Sequence, residues 1–183
     1  WNSLGDRAAV VGQLDAFIDA IRSRTGAEQV DLAGHSAGGG VAYEYLADAG
    51  RAIKVAHYAH LASFQQAGPA GPAGEVPTLN VWSSADLVVD EKGDIPGAEN
   101  VEFDDLDHYQ AATAAETFEV LFTFFNDGEA PETLNIEPET EIELSGRLLS
   151  FGENQPLGGA SLDIYALDGA TGRRLDPLAP TAT

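Results

Sequence analysis

The chain contains no cysteine and no methionine, and lysine occurs only at Lys54 and Lys92. Without cysteine there are no disulfides, no thiolate metal ligands and no thiol nucleophile. No apolar run approaches the roughly 20 residues a membrane-spanning helix requires. Positive charge is scarce: 9 Lys and Arg stand against 30 Asp and Glu, a formal charge of −21. Nucleic acid and anionic membrane surfaces would be repelled by such a chain, so neither is expected as an electrostatic partner. The acidic residues are spread over the whole length, which suggests solubility in a salty or acidic milieu rather than a binding tail.

Hydrophobic residues make up 44% of the 183 positions, enough for a buried core. The chain opens on Trp1-Asn2-Ser3-Leu4, with neither a basic region nor an apolar signal core. The expectation is that it begins partway through a longer protein.

Residues 6–24 read as a helix, with Val10, Leu14, Phe17, Ile18 and Ile21 at three- and four-residue steps and Thr25-Gly26 closing it. Gln29 to Ala33 reads as a strand leading into Gly34-His35-Ser36-Ala37-Gly38-Gly39-Gly40, and a helix follows as far as Gly50. Residues 53–59, 78–83 and 101–103 read as strands, and 109–126 as a helix with Phe118, Leu121, Phe122 and Phe125 on its apolar face. The Gly/Pro/Ala stretch 66–74 reads as a linker or flexible rim. Helices alternating with strands predict an α/β fold, a parallel sheet wrapped by helices, over residues 1–126. Residues 127–140 are acidic with two prolines, as in a linker. Residues 141–183 alternate with period two and read as the start of an all-β sandwich domain.

The chemistry centres on Gly34-His35-Ser36-Ala37-Gly38, placed between a strand and a helix. A serine in a sharp strand-to-helix turn is a nucleophile elbow, where bulk at Gly34 or Gly38 is expected to clash. The N–H of Ala37, at the helix start, is the expected oxyanion donor. A serine hydroxyl needs a base to take its proton. His35 points elsewhere from the turn, while His57 and His60 come too early to follow an acid at the next strand end. His108 remains as the base. Asp86, just past strand 78–83, is the expected acid that orients it, with Asp90 and Asp94 as fallbacks. Leu87, Val88 and Tyr109 flank these residues and are candidate substrate contacts. Asp104, Asp105 and Asp107 precede the base and form a candidate calcium loop, or simply a solvated acidic one. The reading calls for no cofactor and no metal.

These residues resemble the α/β-hydrolase fold, and within it the small bacterial secreted lipases. The shared segments are Gly-His-Ser-Ala-Gly-Gly at 34–39, Ser-Ser-Ala-Asp-Leu-Val at 83–88, and Gly-Ala-Glu-Asn-Val-Glu at 97–102 followed by His108. The tail, with Ser145-Gly-Arg and Pro156-Leu-Gly-Gly-Ala-Ser-Leu-Asp-Ile-Tyr, is similar to appended lipid-binding sandwiches. The resemblance implies the C-terminal part of an α/β-hydrolase sheet. It also implies an extracellular location, an ester or lipid substrate, and contact with a lipid interface through the tail. Members of this fold carry several strands before the elbow, and a loop there supplies the second oxyanion N–H. Residues 1–28 hold no such strands, so the elbow strand is expected to keep one open edge. The rival readings are a polyester or cutinase-like hydrolase, and a surface-binding module with a vestigial hydrolase domain.

Overall fold

Asp6 starts the first helix by accepting the Ala8 N–H at 3.1 Å, and Gly26 ends it with φ 76°, a left-handed turn that favours glycine. This is α1 (Arg7–Thr25) in the computed structural model, which describes residues 6–135, 143, 145–150, 155–168, 171 and 173–176. The chain divides into two compact units, the first running to Thr140 and the second from Glu141 to Thr183.

In the first unit α1 is followed by β1 (Val30–His35), α2 (Ala37–Leu46), the short α3 (Ala49–Ala52), β2 (Val55–Leu61), β3 (Thr78–Ser83), β4 (Glu99–Phe103), α4 (Gln110–Thr113) and α5 (Ala115–Phe125). The four strands form one parallel sheet in the order β1-β2-β3-β4. Its two faces carry separate cores. On one, Val11 and Ile18 of α1 pack with Val41, Tyr45 and Leu46 of α2 and Tyr58 of β2. On the other, Ala59, Leu61, Leu79 and Val81 meet Val120, Leu121, Phe124 and Phe125 of α5. A parallel sheet buried on both faces explains why β3 is almost continuously buried rather than alternating.

Several sequence expectations need correction. The alternation that would set Ile53, Val55, His57 and Ala59 on one face of strand 53–59 does not hold: Ile53 is 71% exposed, and Val55 joins the α1/α2 core while Ala59 joins the α5 core. The cause is a register shift, in which Val30 and Asp31 pair with Val55 and His57 and leave Ala56 as an extra residue. The helix read over 109–126 is broken at Ala114, whose ψ is 152°. Thr113 Oγ1 donates to the Tyr109 carbonyl one turn back, a bond that bends helices and is invisible in the apolar period. Phe118 is exposed rather than on the packed face, as is Phe17 of α1. The Gly/Pro loop is neither rim nor loose linker. Ala70 is fully buried, its N–H donates to Thr78 Oγ1 at 2.9 Å, and Tyr43 Oη clamps Gly68 through its carbonyl.

Among the described residues β1 is an edge strand. Beside it lies a largely apolar groove of about 560 Å³, lined among others by Val10, Leu14, Phe17, Leu32, His35 and Val41.

In the second unit two antiparallel bridges are described, Leu149 with Pro156 and Leu167 with Arg174. The Arg174 guanidinium lies 3.8 Å over the Tyr165 ring, and Asp168 Oδ1 accepts both the N–H and the hydroxyl of Thr171. Much of the expected sandwich falls outside the described residues.

Candidate active site

Backbone hydrogen bonds tie the carboxyl ends of the strands together. The Ser36 N–H donates to the Leu61 carbonyl, Ala62 to Val81 and Ser84 to Phe103, at 3.0, 2.8 and 2.9 Å. Ser36 itself has φ 54° and ψ −125°, a strained conformation for a residue with a side chain, worth about 1–3 kcal/mol. Gly34 permits it: a Cβ there would stand 2.8 Å from the Gly38 carbonyl oxygen. Gly38 departs from the expected sterics, since a Cβ there meets nothing within 4 Å. The second close approach is instead at Gly39, where a Cβ would lie 2.8 Å from His60 Cε1 and collide with the Ser63 hydroxyl.

Ser36 stands immediately before α2, its hydroxyl makes no cap bond, and Ala37 is exposed. The first N–H groups of a helix have no intrahelical partner, so the turn presents donors and the positive end of the α2 dipole beside the serine.

Asp86 follows β3 and is 1% exposed. Its Oδ1 accepts the backbone N–H of Val88 at 2.7 Å and of Val89 at 3.3 Å, and its Oδ2 lies 2.8 Å from Nδ1 of His108. Burial alone would raise its pKa. The bond from His108 and the two backbone N–H groups outweigh that and hold it below the usual carboxylate value. The carboxylate therefore stays ionised, Nδ1 of His108 carries the proton, and Nε2 is the acceptor nitrogen of the neutral ring. Among the described residues Nε2 of His108 has no hydrogen-bond partner. His108 is itself buried, on the loop between β4 and α4.

The fallback acids are engaged elsewhere or exposed. Asp94 Oδ1 accepts the indole N–H of Trp82 at 3.0 Å, and Asp90 is exposed. Asp107 is a capping residue: its Oδ1 accepts the N–H groups of Tyr109 and Gln110, both at 2.8 Å. Leu87, Val88 and Tyr109 stand in solvent at 92%, 63% and 70% exposure, and Phe64 is exposed at 57%.

Four contributions were not legible in the sequence. Val88 and Val89 serve Asp86 through their backbone. Lys92 Nζ donates to the carbonyls of Asp86 and Val89 at 2.7 and 2.8 Å, closing the acid loop. His35, read as pointing away, lies with Nε2 2.9 Å from the carbonyl oxygen of His108. Only the rarity of lysine in so acidic a chain hinted at any of these.

Parallel strands in sequential order with helices on both faces, and a strained serine turn entering α2, give the first unit the α/β-hydrolase fold. Residues 140–183, outside that fold, match the family model described as the lipase C-terminal domain. No curated protein matches the chain. Among solved structures it is similar to an α/β-hydrolase enzyme from the sediment metagenome of the Mar Chica lagoon in Morocco, at 18% identity and a TM-score of 0.47, over 64% of this chain and 70% of that one. It is also similar to a predicted CIB-like hydrolase from Thermoplasma acidophilum, at 20% identity and 0.45, over 67% of this chain and 59% of that one.

Proposed function

We propose that the chain is a serine hydrolase of carboxylic esters, of the lipase or carboxylesterase kind, working through an acyl-enzyme. The observation that carries this reading is the buried Asp86–His108 pair, with Nε2 of His108 lacking a hydrogen-bond partner among the described residues, on a loop that, like Ser36, follows the carboxyl end of a strand. Ser36 Oγ attacks the ester carbonyl carbon while Nε2 of His108 takes its proton. The imidazolium so formed is stabilised by the ionised Asp86, and the oxyanion by the Ala37 N–H at the start of α2. His108 then protonates the departing alkoxide. In the second half it takes a proton from water, whose oxygen attacks the acyl carbon, and it returns that proton to Ser36 Oγ as the acyl–Oγ bond breaks and the acid leaves.

Phe64, Leu87, Val88 and Tyr109, all on segments that follow strand carboxyl ends, are exposed, which suits esters presented at an interface. The same exposed apolar residues favour a second reading, hydrolysis of polyester of the cutinase kind. In the second unit, Leu148, Leu157, Leu162 and Ile164 line a groove of about 630 Å³. This groove and the lipase C-terminal match support contact with a neutral lipid interface. The lipase likeness also supports a location outside the cell, which fractionation of cells and medium would test. No helix among the described residues is long and apolar enough to cross a membrane.

The test is labelling with a fluorophosphonate and turnover of chromogenic esters of increasing acyl length. Ser36→Ala abolishes labelling and lowers kcat by about 10⁴-fold or more. Labelling that persists in the variant, or activity above a few per cent, overturns the assignment.

A further inference from the structure

β1 and β4 lie at opposite edges of the sheet, three strand spacings or about 14 Å apart. The base sits on the loop after β4, yet the serine follows β1. Residues 104–109 must therefore run back across the carboxyl ends of β3 and β2, a distance within the roughly 20 Å that six residues can span. On the β3 side the loop is held by the Asp86–His108 bond, and at its end by the Asp107 cap. At the β1 side, among the described residues, one hydrogen bond joins it to the elbow: His35 Nε2 to the His108 carbonyl, 2.9 Å. A carbonyl oxygen only accepts, so Nε2 of His35 carries the proton. The two rings also lie against each other, centroids 4.7 Å apart and tilted by 41°.

We propose that His35 is a positioning residue, donating from Nε2 to the His108 carbonyl and so fixing the base-bearing loop against the turn that carries Ser36. Its Nε2 is committed to the His108 carbonyl and is not placed to carry the transferred proton. It acts on the backbone of the base, and His35 and Ser36 are consecutive residues, so the bond sets the distance from Nε2 of His108 to the serine hydroxyl. Without it the imidazole keeps its bond to Asp86 and the loop its Asp107 cap, but no hydrogen bond among the described residues then fixes the His108 backbone against the elbow. The proposal deepens the serine-hydrolase reading and rests on it for its kinetic consequence.

The experiment compares His35→Phe, which keeps a ring without a donor, with His35→Gln, which keeps an N–H donor without a ring. The expected result for His35→Phe is a fall in kcat of about 10- to 100-fold, with KM within about threefold, because chemistry is misaligned while binding is not. His35→Gln should recover kcat to within about threefold of the parent. A second readout is independent of turnover: the downfield proton resonance of His108 Nδ1–H, observed by NMR. It should exchange faster with solvent in His35→Phe than in the parent or His35→Gln. Full kcat in His35→Phe, or a Gln variant as poor as the Phe one, overturns the clasp. Should Ser36→Ala keep full activity, the serine reading fails; the clasp then stands or falls on whether the Nδ1–H exchange responds to His35→Phe.

Discussion

The carboxylate of Asp86 and the imidazole of His108 are 22 residues apart in sequence and 2.8 Å apart in space, and both are buried. The pair divides its hydrogen bonds cleanly. Oδ2 faces Nδ1 of His108, while Oδ1 is taken up by the backbone of Val88 and Val89. Replacing Asp86 by Asn keeps the size but offers the imidazole the wrong partner. The expected loss in kcat is about 10³- to 10⁴-fold, from the tautomer that puts the proton on Nε2. Asp94→Asn should leave kcat within about threefold of the parent, because that carboxylate serves Trp82. Steady-state kinetics on the two variants decides it, and the reverse ranking moves the acid to Asp94.

The glycines of the elbow are not equivalent. Gly39→Ala drives a methyl into Ser63 and His60, and Gly34→Ala drives one into the backbone at Gly38. Each should lose about 1–3 kcal/mol of stability. Gly38→Ala meets open space within α2 and gains helix propensity of up to about 1 kcal/mol. Thermal melts should therefore rank Gly38→Ala at or above the parent and the other two below it.

His60 is fully buried under α2, with Nε2 donating to the Phe64 carbonyl at 2.9 Å and Nδ1 facing the Tyr58 hydroxyl at 2.7 Å; the edge of Tyr43 packs on the ring. Burial lowers its pKa, and the bond to Phe64 recovers only part of that. The folded protein thus holds His60 neutral below pH 6.5, where the unfolded chain takes up a proton. Its contribution is fully present above the unfolded pKa and is lost as pH falls toward the lowered folded value. The slope for one proton approaches about 1.4 kcal/mol per pH unit. Denaturant unfolding between pH 7 and 5 should show this loss in the parent and a shallower one in His60→Gln. Parallel curves would show that His60 does not titrate in that window.

Salt should stabilise the chain. With a formal charge of −21 the folded state repels itself, and the Debye length shrinks from about 10 Å at 0.1 M to about 3 Å at 1 M. The bridges from Lys54 to Asp15 and Asp19, both 2.8 Å, are weakened by the same screening but are few against the excess of acid. The melting temperature should rise with NaCl into the molar range. A flat or falling curve removes the halophile-like interpretation.

What the sequence determined by itself was the order of elements and the residue types at the turn. Apolar spacing located α1 and α5, and the strand-like runs located β1 to β4, because an element packed on one side or both keeps most of its apolar period buried, though Phe17 and Phe118 fall outside the packed faces. Glycine at 34 beside Ser36 declared a strained turn because so few other residues fit one. Asp86 and His108 emerged from chain order alone. Tertiary structure decided everything that depends on which atoms meet across the sheet. The extra residue at Ala56 reversed the facing of β2. Gly39 rather than Gly38 became the crowded glycine because Ser63 and His60 lie behind it. His35 became the partner of a loop that starts at the far edge of the sheet. The physical reason is the same in each case: propensity and periodicity act over a few residues, whereas a hydrogen bond between β1 and the β4 loop exists only once the intervening strands have set their separation.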